Sequence, residues 1–288
     1  MRLCMFDKSG SPTLAARAGD MLIDLSIAAP GLPGDIASIL GAGEETMQRL
    51  RAAIDNADGT AFVDPATIRY LVPIARPGKI LCLGLNYADH AAEGGHAKPE
   101  YPSFFMRGPT SLVAHGEAIV RPKLSEQLDY EAELVAVVGQ RARHVSMEDG
   151  LDVIAGYCVF NEGSIREYQR KTSQWTIGKN FDNTGGFGPD FVSADELPPG
   201  AKGLRIQARL NGQVLQDANT DDMLFGVAET VALLSACLTL EPGDLLVMGT
   251  PAGVGHARKP PLWMKAGDVC EIEIDQVGLL RNPIVDEQ

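Results

Sequence analysis

The run Leu128-Asp129-Tyr130-Glu131-Ala132-Glu133-Leu134-Val135-Ala136-Val137-Val138 constrains the fold more than any other segment of the chain. Its Val- and Leu-rich half, closed by Gly139, reads as a buried strand. Side chains two apart on a strand point to the same face, so Glu131 and Glu133 project side by side. Adjacent carboxylates beside an apolar run repel each other and resist desolvation unless something positive sits between them. A hard divalent cation, which takes oxygen ligands, answers that need. An edge strand would leave the pair merely solvated, and spacing alone does not choose. Glu162 comes 29 positions after Glu133 and also follows an apolar run, Val153 to Phe160, which makes it the candidate third ligand.

With 288 residues the chain fits one large domain, or one and a half, and can bury a substantial core. A net charge of −13 argues against a nucleic-acid partner, because phosphate binding needs a basic face. The five cysteines (Cys4, Cys82, Cys158, Cys237 and Cys270) are scattered and form no C-x-x-C pair. That pattern excludes a thiolate zinc cage and suits a reducing compartment. The start of the chain lacks a signal-peptide layout, and no stretch approaches the roughly 20 apolar residues of a membrane span. The expectation is a cytoplasmic protein with no membrane partner.

Residues 1–75 read as a small N-terminal α/β region, with strands at Arg2–Phe6 and Met21–Leu25 and helices at Asp35–Leu40 and Glu44–Ala53. Prolines 65, 73 and 77 then break the chain, and a soft boundary at Arg76-Pro77-Gly78 makes 76–288 the second domain. There strand signals dominate, with a hairpin turn at Asn211-Gly212. Helices are expected at Ser146–Ile154, Ile165–Lys171 and Val227–Cys237. Many strands and few helices predict an α+β or mainly β domain. Gly249-Thr250-Pro251-Ala252-Gly253-Val254-Gly255 is glycine-rich, but no Lys-Ser/Thr follows it, so it is not a phosphate loop. It reads as a tight turn after a buried strand.

In Asn86-Tyr87-Ala88-Asp89-His90-Ala91-Ala92-Glu93-Gly94, a short helical turn capped by Asn86 and stopped by Gly94 puts His90 and Glu93 on one face. A carboxylate beside an imidazole orients it and raises its basicity, as a general base requires. The same pair could equally be a surface pair. Arg166 and Gln169 follow Glu162 at helical spacing, and Lys179 lies in the aromatic, glycine-rich Trp175-Thr176-Ile177-Gly178-Lys179-Asn180-Phe181. Lys179, and Arg107 after Phe104-Phe105-Met106, are candidates to bind a substrate anion or stabilise an oxyanion.

Taken together, these segments resemble the fumarylacetoacetate hydrolase family, in particular its smaller bacterial and acylpyruvase-type members. The likeness runs from about Lys79 to Pro283 through Lys79–His90, Tyr130–Leu134, Trp175–Phe181 and Leu240-Glu241-Pro242-Gly243-Asp244 leading into Gly249–Gly255. It implies a mixed β-roll catalytic domain and a homodimer. It assigns Mg²⁺ or Mn²⁺ to Glu131, Glu133 and Glu162, and the water-activating dyad on a lid to His90 and Glu93. The oxyanion role falls to Lys179, and contacts to the substrate or support of the metal site to Arg107, Arg166, Gln169 and Thr250. Most relatives carry Asp where this chain has Glu162, and Arg166 at i+4 is expected to steady the longer side chain.

The activity so implied is hydrolysis of a carbon–carbon bond in an acylpyruvate or related 2,4-dioxo acid, a small 2-oxo acid substrate. His90 would deprotonate the attacking water, and the metal would hold the pyruvate enolate that leaves. The runner-up is isomerisation, decarboxylation or tautomerisation of a hydroxydienedioate or oxaloacetate at the same metal site. A non-catalytic binding protein is the third reading, against which His90, Glu93 and Lys179 together argue. Residues Gly94 to Tyr101 are expected to shape the lid that reads the substrate tail.

Overall fold

The computed structural model describes every residue of the chain except His96 and Lys98, so part of the expected lid lies outside the described residues. Among the described residues the strands form sheets of thirteen, five and two, an α+β architecture. The large sheet runs Phe62–Val63, Met21–Asp24, Ser11–Ala18, Arg2–Lys8, Asp190–Ser193, Ile154–Asn161, Ala132–Val138, Leu245–Val247, Ile80–Gly84 and Ser103–Arg107, with three short strands branching from it.

The strand Ala132–Val138 is central and buried along its whole length, which explains its unbroken apolar sequence. Its even-numbered residues face one core with Ile206, Ala208, Ile272 and Leu280 of the five-stranded sheet. Val135 and Val137 face a second core with Cys82, Phe105, Phe160 and Leu245. That second core also takes Leu3, Ile36, Ile39 and Leu50 from the leading 75 residues. Those residues are tied to the rest by the antiparallel pairing of Arg2–Lys8 with Asp190–Ser193. The position 75/76 falls between the strands Arg69–Leu71 and Ile80–Gly84.

Asn211 and Gly212 both adopt positive φ, 53° and 78°, and turn Arg205–Leu210 into Gln213–Asn219. This is the geometry a two-residue hairpin needs. The helices Ile36–Gly41, Glu44–Asp55 and Val227–Cys237 stand where the sequence puts them. Ser146–Ile154 does not form a helix: a single turn, Gly150–Val153, precedes a strand that begins at Ile154. Ser146 bonds Asp149 through side chain and backbone instead, a local alternative that competes with helix formation.

Candidate active site

Strand register assembles the acidic group. Ala132 pairs with Asn161 and Glu133 with Phe160, so Glu162, one residue past its strand, arrives beside Glu131. The Glu162 amide donates to the Glu131 carbonyl at 2.9 Å, and the Glu131 amide to Asn161 Oδ1 at 3.0 Å. Glu131, Glu133 and Glu162 are at most 3% exposed.

Cations are drawn in against them. Lys179 Nζ, on the turn Thr176–Lys179, donates to Glu131 Oε2 at 2.8 Å. Arg166 Nε donates to Asp129 Oδ2 at 2.7 Å, and Nη1 to Gln169 Oε1 at 2.9 Å. Its Nη2 lies in ion-pair contact with Glu131 Oε1 without being aligned as a hydrogen bond. Arg166 therefore does not steady Glu162; Arg107 does, through Nη1 to Oε1 at 2.5 Å.

Burial would raise the Glu131 carboxyl, but Arg166, Lys179 and His90 outweigh it and hold it at about 2. Glu133 goes the other way: burial first, then Glu162 and Glu131, push its carboxyl well above the usual range. It accepts the Gly249 amide at 2.6 Å and, among the described residues, contacts no cation.

His90 stands on the helix Ala88–Glu93, its Nδ1 2.9 Å from Glu93 Oε1. Glu93 is fixed in turn by the Gly253 amide, at 3.2 Å to Oε1 and 3.0 Å to Oε2. With Nδ1 occupied, Nε2 is the nitrogen left to exchange a proton with a bound molecule. Gly94 ends the helix as expected, but Asn86 does not cap it. Asn86 is fully buried and bonds the backbone of Phe225 and Met248.

One cavity of about 290 Å³ is lined by His90, Glu131, Glu133, Arg166, Gln169, Lys179 and Thr250. Glu93, Glu162 and Arg107 do not line it. Arg170, Trp175 and His256 line it too, without having been expected. Asp129 was also missed, although it shares the two-residue spacing of Glu131 and Glu133. It anchors Arg166 and accepts the Gly255 and His256 amides at 2.8 and 3.0 Å. The glycine-rich turn is thus more than a connection, since its amides hold Glu133, Glu93 and Asp129.

Gly253 has φ +103°, and a Cβ there would lie 2.3 Å from the Leu215 carbonyl oxygen. Gly253→Ala is expected to destabilise the fold by about 1–3 kcal/mol and to loosen Glu93. Urea unfolding measures the loss; an unchanged midpoint would contradict it.

Among the described residues no three His, Cys, Asp or Glu side chains converge as a ready-made metal cage. The donor set nevertheless fits a divalent cation. Four buried carboxylates, of Asp129, Glu131, Glu133 and Glu162, face three buried cations, of Arg107, Arg166 and Lys179. Among the described residues Glu133 contacts no cation, and Glu162 Oε2 is buried with no hydrogen-bond partner. A buried carboxylate oxygen left unpaired is costly, and an oxygen-only set suits Mg²⁺ or Mn²⁺.

The family model for the fumarylacetoacetate (FAA) hydrolase C-terminal region matches residues 79–285. A Xenopus laevis protein named oxaloacetate tautomerase fahd2, mitochondrial, is 38% identical over 291 residues, covering 99% of this chain and 90% of the relative. The Rattus norvegicus oxaloacetate tautomerase Fahd2a, mitochondrial, is 35% identical over 273 residues, covering 94% and 86%. The solved fumarylacetoacetate hydrolase of Exiguobacterium antarcticum superposes with a TM-score of 0.87 at 30% identity, covering 100% of both chains. Maleylpyruvate hydrolase from Sphingobium sp. SYK-6, in complex with manganese(II) and pyruvate, gives 0.82 at 28%, again covering 100% of both.

Proposed function

The chain belongs to the fumarylacetoacetate hydrolase family, and from that premise we propose that it is a divalent-metal-dependent tautomerase of a small 2-oxo dicarboxylic acid, of which oxaloacetate is the type. Tautomerisation, the runner-up of the sequence reading, takes precedence over hydrolysis because both curated relatives bear that name. The observation that carries the reading is that His90, whose Nε2 has no partner among the described residues, shares one cavity with Glu131, Glu133 and Lys179. Its volume of about 290 Å³ sits at the low end of ligand pockets, roughly 300–1,000 Å³, which suits a short acid.

Ketonisation of an enol removes the proton on the C2 hydroxyl and adds one at C3. A base that also returns protons can serve both ends, and His90 Nε2, oriented by Glu93, is that group. Lys179 balances charge on the C2 oxygen, while Arg166 and Gln169 bind the carboxylate beside it. Glu131, Glu133 and Glu162 would hold Mg²⁺ or Mn²⁺, which supplies Lewis-acid polarisation of the 2-oxo group. All five cysteines are free, which supports a reducing compartment such as the cytoplasm.

Hydrolysis stays as the second reading, on the likeness to maleylpyruvate hydrolase. The deciding experiment follows loss of enol absorbance on mixing protein with freshly dissolved oxaloacetate, with product analysis on acylpyruvates in parallel. Chelation by EDTA is expected to remove the acceleration and Mg²⁺ or Mn²⁺ to restore it, while circular dichroism shows the fold retained. Full activity in metal-free protein would overturn the metal dependence. Cleavage of an acylpyruvate to pyruvate and a carboxylic acid, with no acceleration of ketonisation, would establish the hydrolase.

A further inference from the structure

We propose that Arg107 is the positioning residue of the third carboxylate: it grips Glu162 by Oε1 and leaves Oε2 as the one oxygen offered to the divalent cation. The inference rests on the metal reading above and concerns a residue for which the sequence left substrate contact and support of the metal site as alternatives. The Arg107 side chain is fully buried, and every nitrogen of its guanidinium is committed within the protein. Nη1 donates to Glu162 Oε1 at 2.5 Å and to the Gly163 carbonyl at 3.1 Å. Nε donates to Ser111 Oγ at 3.1 Å, and Nη2 to Thr184 Oγ1 at 3.0 Å.

The surroundings are shaped to hold that pose. A Cβ on Gly185 would stand 2.7 Å from Arg107 Nη2, and one on Gly163 would stand 1.9 Å from the Thr184 carbonyl oxygen. Side chains at either position would displace the guanidinium or the turn that carries Glu162. Glu162 Oε2, in contrast, is buried with no hydrogen-bond partner among the described residues. A carboxylate with one oxygen fixed by a rigid fork and the other unpaired is restricted to ligation through a single oxygen. Shortening residue 162 to Asp would draw the carboxylate back by about 1.5 Å, one carbon–carbon bond, and cost it the fork.

Charge and positioning make opposite predictions, which is what makes the idea testable. Removing the positive charge of Arg107 should by itself favour a nearby cation, whereas losing the grip on Glu162 should weaken it. Mn²⁺ affinity of the metal-free, full-length protein is measured by calorimetry and by electron paramagnetic resonance for wild type, R107M, R107K, E162Q and R107M/E162Q. The expected result is that R107M binds Mn²⁺ about 10- to 100-fold more weakly than wild type. The double variant is then no weaker than E162Q, because Arg107 acts through Glu162. R107K keeps the charge without the fork, and it is also expected to bind more weakly; it decides the matter if R107M does not fold. Unchanged or tighter binding by the folded variant, or a double variant weakened by the full sum, overturns the inference. A wild-type protein that binds no Mn²⁺ sinks the metal reading itself, and the Arg107 role with it.

Discussion

His90→Ala is expected to lower kcat/KM for ketonisation by about 10²- to 10⁴-fold, the usual worth of a positioned general acid–base group. Mn²⁺ affinity should stay near wild type, because the cation would be held by carboxylates on or next to the paired strands Ala132–Val138 and Ile154–Asn161 and His90 comes from a separate helix, Ala88–Glu93. The fold should survive as well, since among the described residues the His90 ring bonds only Glu93, and Glu93 keeps its amide from Gly253. Glu93→Gln should cost less than His90→Ala, for it disturbs the orientation and basicity of the imidazole without removing it. Initial rates from the decay of enol absorbance, with calorimetric Mn²⁺ titration of the same variants, provide the check. A His90→Ala protein within a few-fold of wild type would remove His90 from the chemistry and leave the cavity without an identified proton carrier.

The parts of this site that could be read from sequence are those whose partners are close along the chain or fixed by strand periodicity. Glu131 and Glu133 follow from alternation, and His90 with Glu93 from helical spacing. The structure draws Glu131, Glu133, His90, Lys179, Arg166, Gln169 and Thr250 to one cavity. The missing parts depend on contacts between distant segments. Arg107 meets Glu162, 55 positions away, because the short strand Leu112–Ala114 pairs with Gly185–Phe187, which pairs in turn with the end of Ile154–Asn161. Spacing pointed to Arg166 as the support of Glu162, but Asp129 and Glu131 compete for that guanidinium and win. The glycine-rich turn carries no side-chain signal, because its contribution is made by backbone amides. In the fold, the central strands were legible from unbroken apolar runs. Ser11–Ala18 was not, since Pro12, Thr13 and Arg17 blur its alternation, yet it pairs with strands on both sides.

Arg166→Met is expected to cost about 3–5 kcal/mol of stability, the range for removing one partner from a buried ion pair. Arg166 is 3% exposed and stands between two carboxylates that are as buried as it is. Asp129 would keep the amides of Tyr130, Gly255 and His256, and Glu131 would keep Lys179 and Ser164. Those remaining donors place the expected loss at the lower end of the range. Arg166→Lys separates charge from geometry: an ammonium can neutralise one carboxylate but cannot bond Asp129 and Gln169 while lying against Glu131. It should therefore recover part of the stability and little of the activity, because Gln169 would lose the contact that fixes it at the cavity wall. Urea unfolding of the metal-free variants measures the first effect and KM for oxaloacetate the second. If Arg166→Met unfolds within 1 kcal/mol of wild type, the buried charges are not balanced as the structure has them. The count of four buried carboxylates against three buried cations would then have to be redone.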